Sequence, residues 1–116
     1  MTMQLLTQPT PPTALFAASD ELGMGALQAA HRLGLHVPND LAIIGYDDID
    51  LAPLLGLSTI RQPMTEMGRE SVALLLRRLA DPAASPTQRA LPVELVVRTS
   101  TVAEANPMSA TSIFRT

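Results

Sequence analysis

The chain has 116 residues, 47% of them apolar, a net charge of −3 and no cysteine. That length makes one domain or part of one, and no run of about 18 apolar residues offers a membrane span. The lack of cysteine removes disulfides and thiolate metal sites and agrees with a cytoplasmic setting.

All eight basic residues are Arg. The missing lysine argues against a P-loop and against phosphate-processing folds that use a catalytic lysine. No basic patch suits a phosphate backbone, so this chain alone is not expected to bind nucleic acid. Phe16, Tyr46 and Phe114 are the only aromatics, too few for a base-stacking platform.

Met1 to Pro9 carry neither a basic segment nor a long apolar one, so they do not read as a secretory signal. Residues 3 to 8 suit the end of a helix, stopped by Pro9, Pro11 and Pro12. Thr13 to Ala18 form a short buried-strand candidate. Ser19 and Asp20 follow as good N-cap residues, with Glu21 favourably placed at a helix start. The helix is expected over Glu21 to Leu33, with Leu22, Ala26, Ala29 and Leu33 facing the sheet and Gly34 as its stop. A second face (Met24, Leu27, Gln28, His31) is too apolar for plain solvent surface and suits extra core or a subunit contact.

Val37 to Asp40 turn into Leu41–Tyr46, an apolar run that reads as a strand covered on both faces, as in parallel sheets. It ends in Asp47, Asp48 and Asp50. Residues 13 to 46 thus span a βαβ unit, with Ser19-Asp20 and Asp47-Asp48 at the same carboxyl edge of the sheet. Ligands of open α/β sheets bind at such edges.

Residues 57 to 62 are extended. Thr65 to Ala80 form a helix capped by Thr65, with Glu66 and Glu70 early and Arg77 and Arg78 late, matching the dipole. Met67, Val72, Leu74, Leu75, Leu76 and Leu79 cover more than half its circumference, so it needs partners on two sides. Residues 81 to 86 are a loop. Val93, Leu95 and Val97 alternate inward on a strand that Pro92 places at a start or an edge. Residues 102 to 116 read as a loose tail.

Five segments, in this order, resemble the C-terminal part of LacI/GalR-family transcription repressors. They are the segment from Pro12 to Asp20, Gly25-Ala26-Leu27, the segment from Gly34 to Asp48, Leu57 to Pro63, and Leu91 to Thr101. The resemblance covers about residues 3 to 102. It implies an α/β, periplasmic-binding-protein-like (type I) effector fold, present in part, with parallel strands flanked by helices. Two such subdomains would clasp a sugar or purine between them.

On this reading residues 1–12 end a preceding helix and linker, and 13–57 form the βαβ unit of the C-terminal subdomain. Residues 58–90 are a hinge strand and a helix on the N-terminal-subdomain side. Residues 91–101 are the returning strand, and 102–116 a flexible tail. The chain would then be a fragment, without the DNA-binding headpiece, that exposes strand edges and apolar patches.

The resemblance makes Asp47 the expected ligand contact. A carboxylate accepts two hydroxyl hydrogens, which suits vicinal sugar hydroxyls. Ser19 stands where many members have an Asn, and Asp20 serves equally as ligand contact or helix cap. Met24, Leu27, Gln28 and His31 become dimer-interface candidates.

The expected partners are a small-molecule effector, bound weakly here, and a second copy in a homodimer or strand-exchanged oligomer. DNA is expected only through the missing headpiece. No membrane, catalytic residue, cofactor or metal is expected. The rivals are a periplasmic-type sugar-binding protein, and a Mg²⁺-dependent phosphate-processing enzyme using the Asp cluster. No nucleophile with a paired base supports the latter.

Overall fold

The computed structural model describes residues 2–103. Helix α1 (Thr2–Leu6) ends before the proline segment and buries Leu6. Strand β1 (Ala14–Phe16), helix α2 (Asp20–Arg32) and strand β2 (Ala42–Ile44) form the expected βαβ unit. Its strands are parallel, with Ala14 opposite Ala42, Leu15 opposite Ile43 and Phe16 opposite Ile44.

Strand β3 (Thr59–Arg61), helix α3 (Met64–Ala80) and strand β4 (Glu94–Val96) follow, β3 and β4 pairing antiparallel. The two small sheets join along the chain past β2. Gly45 N–H donates to the Ser58 carbonyl at 2.8 Å, and Ile43 N–H donates to the Ser100 carbonyl at 2.9 Å. Ser58 and Ser100 are buried, and the Ser100 Oγ closes this junction by accepting from Ser58 N–H at 2.8 Å and donating to the Ile43 carbonyl at 2.5 Å.

The core consists of Leu6, Ala26, Ala29, Ala30, Leu41, Ile43, Ala52 and Leu57. Half of these are alanine, because α2 lies close on the strands. A Cβ built on Gly23 would approach Leu57 to 3.0 Å, and one on Gly45 would reach Asp20 Oδ1 at 2.1 Å. This close approach rotates the buried face of α2 away from the large residues at its start. Gly23, Ala26, Ala29 and Ala30 face inward, whereas Leu22 is exposed, a correction to the expected face. Ser19 caps α2 as expected, its Oγ accepting from Leu22 N–H at 3.3 Å, and Gly34 follows the helix with φ +71°.

Three further expectations are corrected. Helix α3 begins at Met64, with Pro63 at the cap position and no side-chain cap bond. The helix starts one residue early because the Pro63 carbonyl already accepts the first helical bond, from Met67 N–H at 2.9 Å. Val93, Leu95 and Val97 are exposed, because nothing among the described residues covers that face of β4. The parallel pair is likewise covered on one face: Leu41 and Ile43 are fully buried, while Ala14 and Phe16 on β1 are exposed.

Helix α3 buries no residue, and Val72, Leu75, Leu76 and Leu79 along it are exposed. An apolar helix with no buried face is an element without its partner. The expected tail falls mostly outside the described residues.

Candidate functional site at the carboxyl edge of the parallel strands

The parallel pairing brings the ends of β1 and β2 together, since Asp20 N–H donates to the Tyr46 carbonyl at 2.8 Å. Ser19, Asp20, Asp47 and Asp48 therefore share one edge, as the βαβ reading required. Their chemistry there differs sharply.

Asp20 is fully buried. Its Oδ1 accepts from the Thr59 hydroxyl at 2.6 Å, and its Oδ2 accepts from Ile49 N–H at 2.9 Å. Oδ1 lies over Gly45, where only a hydrogen fits. In this structure Asp20 joins the start of α2 to β3 and to the loop after β2.

Asp48 is nearly as enclosed, with its side chain 8% exposed. Arg98 Nη2 donates to its Oδ1 at 2.7 Å, and Arg61 Nε donates to its Oδ2 at 2.6 Å. Burial pushes the carboxyl's pKa up, but the hydrogen bonds and charges of Arg98 and Arg61 outweigh it and hold the group below the ordinary aspartate range. Arg98 also donates to the Leu57 carbonyl at 2.6 Å, and Arg61 to Glu94 at 3.1 Å.

Asp47 is the half-buried member of the edge. Gln62 Nε2 donates to its Oδ1 at 2.7 Å, and among the described residues no donor meets Oδ2. Its N–H donates to the Ile60 carbonyl at 2.9 Å. Asp47 and Asp48 adopt φ of 112° and 58°. Such conformations cost on the order of 1–3 kcal/mol each for a side-chain-bearing residue and persist only where neighbours over-determine them. Here three consecutive N–H groups are fixed: Asp47 to Ile60, Asp48 to the Thr59 hydroxyl at 3.3 Å, and Ile49 to Asp20. The result is a rigid carboxylate with one oxygen free to accept. Ser19 Oγ accepts from Leu22 N–H, and its hydroxyl donates to the Glu21 carboxylate. Backbone hydrogen bonding at Glu21, together with this bond from Ser19, holds that carboxyl below the ordinary glutamate range.

Beside this edge Tyr46, Gln62, Pro63, Met67, Arg89 and Val93 line a hollow of about 230 Å³. Tyr46 meets Phe16 edge-on, with ring centroids 6.4 Å apart. On the far side of α2, Met24, Leu27, Gln28 and His31 line an open groove with Gly25 and Leu55. The second face of α2 is thus divided: Gln28 and His31 are surface, whereas Leu27 is partly buried against the core. Among the described residues no three His, Asp or Glu side chains are grouped to hold a metal ion.

The sequence over residues 1–101 matches the family of periplasmic binding protein-like domains. The chain belongs to that family. Its periplasmic-binding-protein-like fold is homologous to that of LacI-type regulators. It is 47% identical over 100 residues to the HTH-type transcriptional repressor CytR of Escherichia coli K12, which covers 84% of this chain and 29% of that repressor. The chain thus spans under a third of that curated relative. A LacI family transcriptional regulator from Enterococcus faecium, solved with bound ribose, superimposes with a TM-score of 0.69 at 38% identity, over 86% of this chain and 37% of its own. The lac repressor dimer bound to operator and the anti-inducer ONPF gives 0.76 at 38% identity, over 88% and 36%.

The residues not singled out in the sequence are Thr59, Arg61, Gln62 and Arg98. Thr59 reaches Asp20 from 39 positions away and Arg98 reaches Asp48 from 50, whereas Arg61 and Gln62 reach Asp48 and Asp47 from 13 and 15. Only the Arg residues offered a signal: two lone cations on extended segments in a chain whose acidic residues cluster.

Proposed function

We propose that this chain is the C-terminal portion of the effector-sensing domain of a LacI/GalR-type transcriptional repressor, in which Asp47 contacts a sugar or related metabolite. The observation that carries the reading is the Asp47 carboxylate, fixed through Oδ1 by Gln62 and open at Oδ2 on the carboxyl edge of a parallel pair. A preorganised acceptor of this kind suits vicinal hydroxyls. Ser19, at the same edge, is the proposed second polar contact, its hydroxyl exchanging Glu21 for the ligand. Asp20, with both oxygens occupied, orders the edge from behind. The ribose held by the Enterococcus faecium relative supports a pentose as first probe.

Residues 13–57 are the proposed ligand lobe, 58–90 a hinge strand with the helix of the opposite lobe, and 91–101 the returning strand. The exposed apolar stripe of α3 and the uncovered face of β4 support that division. The groove at Met24, Leu27, Gln28 and His31 is the proposed homodimer contact, as the lac repressor relative is a dimer. The whole repressor would act in the cytoplasm and meet its operator through a headpiece outside this chain. It would respond to effector through coupling between the two sites and would carry out no catalysis of its own.

Calorimetric titration against pentoses, hexoses and purines tests the ligand assignment. With one wall of the cleft in the chain, binding weaker than micromolar is expected, and Asp47→Ala abolishes what remains. Micromolar binding that survives Asp47→Ala overturns the assignment.

A further inference from the structure

The most tightly organised charges in the molecule do not point at the proposed ligand. Asp48 is 8% exposed and takes Arg98, itself 15% exposed, on one oxygen and Arg61 on the other. Arg61 ends β3, and Arg98 lies two residues past β4. Glu94 on β4 completes the ladder by accepting from Arg61. One carboxylate thereby ties together both strands of the antiparallel pair, in the residue that immediately follows Asp47.

The backbone makes the same connection. Asp47 N–H is held by Ile60 in β3, and Asp48 N–H by the Thr59 hydroxyl in the same strand. Gln62, which fixes the Asp47 carboxylate, is the next residue after β3. A shift of β3 or of the segment after β4 therefore moves both the acceptors that hold the positive-φ backbone and the donors that hold the two carboxylates.

We infer that Asp48 is a positioning residue that locks the direction of the Asp47 carboxylate to the placement of Arg61 at the end of β3 and of Arg98 just past β4. A ligand seated on Asp47 then stabilises one placement of the strands, and by reciprocity the strands set the acceptor. The second half of this statement rests on the proposed ligand role of Asp47. The first half does not.

The test uses the full chain, with Asp48→Asn and the milder Arg61→Gln, whose side chain is half exposed. Amide hydrogen exchange and the Gln62 side-chain NH₂ resonances are followed by NMR. Losing a charge-assisted bond corresponds to about a tenfold faster exchange at the Asp47 amide in Asp48→Asn, relative to Ala30 in α2. The Gln62 NH₂ resonances move to solvent-like values. Arg61→Gln gives a smaller change at the same two places. An Asp47 amide and a Gln62 side chain unaltered in Asp48→Asn overturn the inference. So does a rise of equal factor at Ala30 and Asp47 in both variants, because that marks general loosening. Asp47→Asn titrated with D-ribose tests the ligand reading separately, and its failure leaves the exchange result standing.

Discussion

Replacing Asp20 with Asn separates a structural carboxylate from a ligand-contacting one. The change keeps the size of the side chain. Oδ1 can still accept from the Thr59 hydroxyl, but an NH₂ then faces Ile49 N–H, which had donated to Oδ2 at 2.9 Å. One charge-assisted bond is lost, worth about 1.5–3 kcal/mol, and a partly buried N–H is left facing another donor at a further cost of roughly 1 kcal/mol. The bond to Thr59 also weakens once its acceptor is neutral. The sum is about 3 kcal/mol, or roughly a hundredfold in the folding equilibrium. Urea denaturation followed by far-UV circular dichroism reads this as a lower midpoint at an unchanged slope. A double-mutant cycle with Thr59→Val isolates the pairwise part and should return a coupling of about 1 kcal/mol or more. If Asp20→Asn unfolds within about 0.5 kcal/mol of the parent, Asp20 does not hold this edge together.

The acid limb of stability provides a second check. The Asp48 carboxyl is lowered in the fold, the pull of Arg98 and Arg61 outweighing burial. Its contribution is therefore complete above the unfolded carboxylate value of about 3.9, and it is lost as pH falls through the lower folded value. Denaturation midpoints should not change on this account between about pH 7 and 5, and should fall below about pH 4. In Asp48→Asn that part of the fall is absent, and an acid limb identical to the parent's contradicts the pairing. The exposed stripe on α3 predicts self-association. Sedimentation velocity should show oligomers beyond the dimer made through α2, and Leu75→Glu with Leu76→Glu should remove them. A parent that stays monomeric at high concentration counts against the unpartnered-face reading.

The βαβ unit was legible because its signals are local. An apolar run, the Ser19 cap, Gly34 and a second apolar run lie within about thirty positions, the usual span of such a unit. The same locality misjudged which residues face the core. Leu22 fits the helical period, yet Gly23 takes the inward place because α2 lies against Leu57 and Gly45 at its start. Val93, Leu95 and Val97 alternate as a half-buried strand should, but nothing among the described residues covers them. Alternation reports the environment for which a strand is suited, and the described residues do not supply it here. At the site, an acidic edge was legible from its place after an apolar strand, and the family resemblance singled out Asp47. The distinct fates of Asp20 and Asp48 were not legible, because they are decided by Thr59, Arg61 and Arg98 arriving from distant segments. Three carboxylates on one edge look alike in sequence. Hydrogen-bond partners across the junction of the two sheets make one of them available and two of them structural.

The central claim is that Asp47 presents an acceptor to a hydroxylated ligand at this edge. Its most direct test is an NMR titration of the chain with D-ribose at millimolar concentrations. The account predicts shifts centred on the amides of Ser19, Tyr46 and Asp47 and on the Gln62 side chain, all absent in Asp47→Ala. Shifts centred elsewhere, or unchanged in Asp47→Ala, would contradict it.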